Sequence, residues 1–249
     1  MTLPHDHLEV DHTPEAIAAR IKATTQHSYL GDFVLGAVDG AITTFAIVAG
    51  AAGAGLSNGV VLVLGLANVL ADGLSMAAGN FLRARSDQQL LARFRRMEEA
   101  HIDHIPEGER EEVRQIFQSK GFEGDVLEKI VETITQDRRQ WVDTMLTEEW
   151  GLQLTPPTPW RAGLATFAAF VLAGMVPLGP VMVALGRHAE DSFFWSAAFT
   201  GVVFFIVGYV RGRVVDRRPL AAGVETLLIG GSAAAVAYIV GRLLESLAT

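Results

Sequence analysis

The sequence predicts an all-α, polytopic membrane protein with five transmembrane helices and a cytoplasmic three-helix domain between the second and third. Two observations lead there. Half of the 249 residues are hydrophobic, and the charges are missing from long stretches rather than spread evenly. Residues 162–186 and 192–210 hold no Asp, Glu, Lys or Arg, 219–241 holds only Glu225, 33–56 only Asp39 and 59–82 only Asp72. About 20 apolar residues rising 1.5 Å each cross a hydrocarbon core of about 30 Å, so each stretch accommodates one spanning helix. A soluble bundle would show amphipathic faces, which five uniformly apolar segments lack.

Residues 1–32 read as a cytoplasmic tail, not a signal peptide, because MTLPHDHLEVDHTPEAIAARI is polar and acidic with no apolar run. Within it 15–27 suits a short amphipathic helix, capped by Thr13 with Pro14 in its first turn. Residues 33–82 form a tight hairpin of two membrane helices around Ser57-Asn58. Gly36 and Gly40, four apart, allow a close approach to another helix. Residues 83–160 are polar but periodic. Ser86 to Asp103 extends the second membrane helix, a further helix runs from Pro106 to about Gly121, and a third from about Gly124 to Trp150. The apolar face of that third helix is Leu127, Ile130, Val131, Ile134, Trp141, Met145 and Leu146. Thr155-Pro156-Pro157-Thr158-Pro159 then returns the chain to the membrane. Residues 161–249 supply membrane helices three to five, with Pro177 and Pro180 expected to kink the first of these.

Arginines set the expected orientation. The loop 211–218 carries Arg211, Arg213, Arg217 and Arg218, and Arg83 and Arg85 follow the second helix, whereas Ser57-Asn58 has none and 187–191 only Arg187. The tail and 83–160 are therefore placed in the cytoplasm and the C-terminus outside. The net charge of −8 is concentrated in 83–151, which holds 16 of the 28 acids but 11 of the 20 bases. Such an acidic domain disfavours nucleic acid as a partner. With no cysteine, disulfides and thiolate metal sites are excluded.

A carboxylate at bilayer depth is costly unless it meets a partner or water, which singles out Asp39 and Asp72. Counted from the cytoplasmic helix ends, Asp39 and Met76 lie about 9 Å deep, Asp72 about 15 Å and Asn68 about 21 Å. Asn68, Asp72 and Met76 share one helical face. Oxygen ligands with a thioether suit a divalent transition metal better than Mg²⁺ or Ca²⁺. The alternative for both aspartates is a helix-packing hydrogen bond. A second constellation lies in 83–151, where Glu98 and His101, Glu109 and Glu112, and Met145 and Glu149 each present two donors on one helical face. Solvated charge is the plainer account of any one pair. His5, His7 and His12, interleaved with Asp6, Glu9 and Asp11, make a loose metal-binding tail or simply a hydrated one.

VLGAVDGAITTFAIVAG and GLANVLADGLSMAAGNFL closely resemble the first two membrane helices of the vacuolar iron transporter family in its bacterial form. WVDTMLTEEWGL, LAGMVPLGP and LLIGGSAAAVAYIVGRLL are similar as well, so the resemblance runs from about His27 to Leu244. It implies a homodimeric proton antiporter, not an enzyme, in a lipid bilayer, carrying Fe²⁺ or related ions (Mn²⁺, Zn²⁺, Co²⁺) out of the cytoplasm. It also implies that Asp39 and Met76 line the path, and that Glu98, Glu109, Glu112, Met145 and Glu149 collect metal. His101 and Asn68 stand where eukaryotic members have glutamates, and Asp72 adds a carboxylate one turn from Asn68. Two rival readings are a membrane-bound metal buffer or sensor, and a di-iron carboxylate oxidase using Glu98-x-x-His101 and Glu9-x-x-His12.

Overall fold

The computed structural model describes residues 13–24, 28–185, 190–215 and 217–245. The histidines of the tail, and with them the second Glu-x-x-His copy, lie outside these, as does Arg187. Among the described residues there are nine α-helices and no strand. In chain order these are α1 (Pro14–Thr24), α2 (Leu30–Gly53), α3 (Asn58–His104), α4 (Pro106–Ser119), α5 (Gly124–Gln136), α6 (Arg138–Glu148), α7 (Pro159–Val183), α8 (Glu190–Val214) and α9 (Pro219–Leu243). Five of them, α2, α3, α7, α8 and α9, are long and apolar enough to cross a membrane, as expected. The chain separates into two compact units, Met1–Ser28 with Arg83–Thr158 and Tyr29–Leu82 with Pro159–Thr249.

In the membrane-type unit α2 packs most extensively on α7, and also on α9 and α8. Its buried face is built of small residues, among them Gly36, Ala37, Gly40, Ala41, Ala49 and Ala52. Small residues let helices approach to backbone contact where side chains offer no hydrophobic gain over lipid. Gly36 sits against the Thr166 carbonyl and Gly40 against the Phe170 carbonyl of α7, so the expected close approach is made to this helix. On the other side Gly53 meets the Tyr238 carbonyl of α9, and Gly241 meets that of Gly50. A Cβ at any of these positions would collide with backbone.

α2 begins at Leu30, which draws Asp32 out of the expected tail and buries it in the first helical turn. Asn80 of α3 donates to Asp32 Oδ1 at 2.9 Å, to Thr166 Oγ1 at 2.7 Å and to the Ala162 carbonyl at 3.2 Å, pinning three helices together. Pro177 and Pro180 lie within α7, which nevertheless continues to Val183. The Pro177 carbonyl accepts from Ser196 of α8 at 2.6 Å.

In the other unit, the second half of α3 continues without a break to His104, as the sequence leads one to expect. It packs with α4, α5 and α6 around Ile102, Val113, Leu127, Val131, Ile134, Trp141, Val142, Met145 and Leu146. The expected apolar face is all in this core or against it. One expectation fails, since 124–150 is not a single helix. Asp137 adopts extended backbone (φ −105°, ψ 107°), and its carboxylate accepts from the Arg139 and Gln140 amides at 2.8 and 3.2 Å. An aspartate that satisfies the orphan donors of a new first turn starts a helix instead of continuing one. Asp143 of α6 then pairs with Arg95 at 2.5 Å, and Arg138 with Asp103 at 2.6 Å.

Candidate metal centre

Glu98 and His101 are one helical turn apart near the end of α3. The chain reverses at Ile105, Pro106 opens α4 with the restricted φ a first turn requires, and Glu109 is carried back towards them. One ligand atom from each of Glu98, His101 and Glu109 lies within 4.8 Å of the others. His101 Nδ1 is 3.0 Å from Glu109 Oε1, although the two are not aligned as a hydrogen bond.

Burial makes this trio unusual. Glu98 is fully buried and Glu109 is 1% exposed, whereas surface carboxylates on an acidic helix are hydrated. Glu98 Oε1 accepts from the Trp150 indole N–H at 2.8 Å. Glu98 Oε2 and both oxygens of Glu109 are buried without a hydrogen-bond partner among the described residues. Withdrawing a carboxylate from water without a donor costs several kcal/mol unless the group takes up a proton or a cation. Burial, and then the charges of Glu112 and Glu98, push the Glu109 carboxyl up to about 8. Burial, Glu98 and Glu112 push Glu149 up to about 7, and the Trp150 indole opposes that rise. Glu112 and Glu149 are themselves exposed, so they face the cluster from its rim. Two buried carboxylates and an imidazole form a mixed oxygen–nitrogen set suited to Fe²⁺, Mn²⁺, Co²⁺ or Zn²⁺. Met145 is fully buried in the core of the same unit.

The residues singled out in the membrane helices form a second group. Asp39, Asn68, Asp72 and Met76 are all half-buried. Asp39 and Asp72 lie within reach of one another's charge. Between α2 and α3 the Asn68 amide donates to Thr43 Oγ1 at 3.3 Å, and Thr43 donates to the Asp39 backbone carbonyl at 2.9 Å. Sequence reasoning passed over Thr43, because a threonine in an apolar helix looks neutral. It also passed over Trp150, whose value lies in its N–H, and over the Asp32–Asn80 pair.

The profile of the VIT family matches residues 30–242. A vacuolar iron transporter of Toxoplasma gondii is 34% identical over 229 residues, covering 89% of this chain and 76% of that protein. Vacuolar iron transporter 1 of Arabidopsis thaliana is 34% identical over 227 residues, covering 90% and 89%. Vacuolar iron transporter 1 of Eucalyptus grandis is 33% identical over 219 residues, covering 86% of each.

Proposed function

This chain belongs to the VIT family of vacuolar iron transporters, and from that premise we propose that it exports Fe²⁺, with Mn²⁺ as a second cargo, from the cytoplasm in exchange for protons. Glu98, His101, Glu109, Glu112, Met145 and Glu149 collect the ion on the cytoplasmic side. Asp39, Asn68, Asp72 and Met76 pass it through the membrane helices. The functional unit is a homodimer in a bacterial inner membrane, as the resemblance suggests, and the arginine distribution supports a cytoplasmic tail and a cytoplasmic 83–160 region.

The observation that carries this reading is the pair of buried carboxylates, Glu98 and Glu109, with three oxygens that have no hydrogen-bond donor. A divalent cation satisfies such oxygens, and protons satisfy them when the cation leaves. Metal and proton compete for the same lone pairs, which is the chemical basis for exchange. An oxidase is disfavoured because all three relatives cited above are named as transporters.

Purified protein in liposomes provides the test. Fe²⁺ uptake that depends on a pH gradient, and that falls when Glu98, Glu109, Glu112 and Glu149 are all replaced by Ala, supports the proposal. Metal binding without flux under any gradient would instead favour a buffer or sensor.

A further inference from the structure

The carboxylate of Glu98 is not free to choose which oxygen it offers to a ligand. Oε1 is occupied by the Trp150 N–H at 2.8 Å, while Oε2 is buried and has no partner. An indole can only donate, so the atom facing it must act as an acceptor. Trp150 in turn is held from both sides. Its ring packs on Phe94 with centroids 4.3 Å apart, and its backbone N–H bonds the Met145 carbonyl just past the end of α6. Phe94 and Glu98 are one turn apart on α3, so one helix supplies both the stacking partner and the acceptor.

We propose that Trp150 is a positioning residue of the metal cluster: its indole N–H retains Glu98 Oε1 and so turns the unpartnered Oε2 towards a divalent cation. This rests on the reading that the cluster binds metal. Groups that orient a ligand from behind typically contribute ten- to a hundredfold in metal affinity. A carboxylate released from such a hold is free to rotate and to chelate through both oxygens.

The test uses the full-length protein in detergent, with Co²⁺ as the probe, followed by calorimetry and by its visible absorption. Trp150→Phe keeps an aromatic ring against Phe94 and loses the donor together with part of the indole's bulk. It is expected to weaken Co²⁺ binding by about ten- to a hundredfold and to change the Co²⁺ spectrum. The metal-free protein should melt lower as well, because Glu98 Oε1 is left buried without its donor, so the Co²⁺ spectrum is the readout that a purely structural role would not move. Trp150→His, which restores a ring N–H, is expected to recover part of the affinity. Affinity and spectrum unchanged in Trp150→Phe would overturn the proposal. Co²⁺ binding untouched by Glu98→Gln with Glu109→Gln would overturn the underlying metal site instead. A measurement on the unaltered protein covers a variant that does not fold. The ¹⁵N-labelled Trp150 indole N–H is expected to stay protected from exchange when Zn²⁺ binds, and its release on binding would also refute the proposal.

Discussion

Asn68 of α3 donates its amide to the Thr43 hydroxyl of α2 at 3.3 Å, and that hydroxyl gives its own proton to the Asp39 carbonyl at 2.9 Å. A hydroxyl has one proton, so towards Asn68 it can only accept. The Asn68 amide must therefore point its NH₂ at Thr43 and keep its carbonyl oxygen for other use; on the path proposed above, that oxygen would meet the cation as a neutral ligand. Thr43→Val removes the acceptor and frees the amide to turn. We expect iron flux in liposomes to fall roughly fivefold, the worth of one hydrogen bond of about 1 kcal/mol, and Thr43→Ser to stay near wild type. Equal flux in both variants would show that the bridge does not orient Asn68.

Asp39→Asn keeps the size of the side chain and removes the charge that a divalent ion needs at low dielectric. The expected outcome is a folded, membrane-inserted protein that still binds metal at the Glu98 cluster but no longer transports it. Met76→Leu, which loses only a thioether, is expected to be milder. Near wild-type flux after Asp39→Asn would rule out the proposed path.

The pH response of the metal-free protein follows from Glu109 and Glu149. Their carboxyls rise from the usual 4.5 to about 8 and about 7, so folding favours their protonated forms. A group raised in this way contributes stability below its unfolded value and loses it as pH climbs through the folded one. Metal-free protein should therefore melt higher at pH 5 than at pH 8.5, and Glu109→Gln should flatten much of that slope. Metal affinity should run the opposite way, strengthening up to about pH 8 as fewer protons have to be displaced. A melting profile for Glu109→Gln that parallels the wild type across this range would contradict the assignment.

Gly40 and Gly31 lie on the same helix in different surroundings. A Cβ at Gly40 would strike the Phe170 backbone of α7, whereas one at Gly31 meets nothing within 4 Å. Gly40→Ala should destabilise by about 1–3 kcal/mol through overpacking. Gly31→Ala should be neutral or stabilising by up to about 1 kcal/mol, because Ala is the better helix former. Thermal unfolding of the two variants in one detergent decides the matter.

The five membrane helices could be read from the sequence because absence of charge over about 20 residues is a length signal that no local detail disturbs. The division at Asp137 was harder to see. The apolar residues Ile134 and Trp141 on either side keep a helical spacing, and only the capping chemistry of a single aspartate interrupts it. At the cluster, spacing within one helix pairs Glu98 with His101. Nothing in the sequence alone fixes how tightly the turn at Ile105 returns Glu109 to them. Burial was the least accessible property, since glutamates at 98 and 109 look like ordinary surface charge until the helices around them are in place. Asp32 was hidden by a boundary, because it lies just ahead of the apolar stretch at 33–56.

The contacts of Gly36, Gly40, Gly53 and Gly241 also bear on mechanics. Where two helices meet backbone to backbone there is no side-chain layer to shear, and sliding drives a carbonyl into a Cα. A carrier has to expose its cargo first to one side and then to the other, and hinge or shear motions are the means available. α2 is locked to α7 along one part of its length and to α9 along another, which resists sliding of these three helices past one another on the helix that carries Asp39. Asn80 and the close approach of Gly163 to the Ala77 carbonyl hold α3 to the same group, whereas a side-chain bridge such as that between Thr43 and Asn68 can break and re-form without moving backbone.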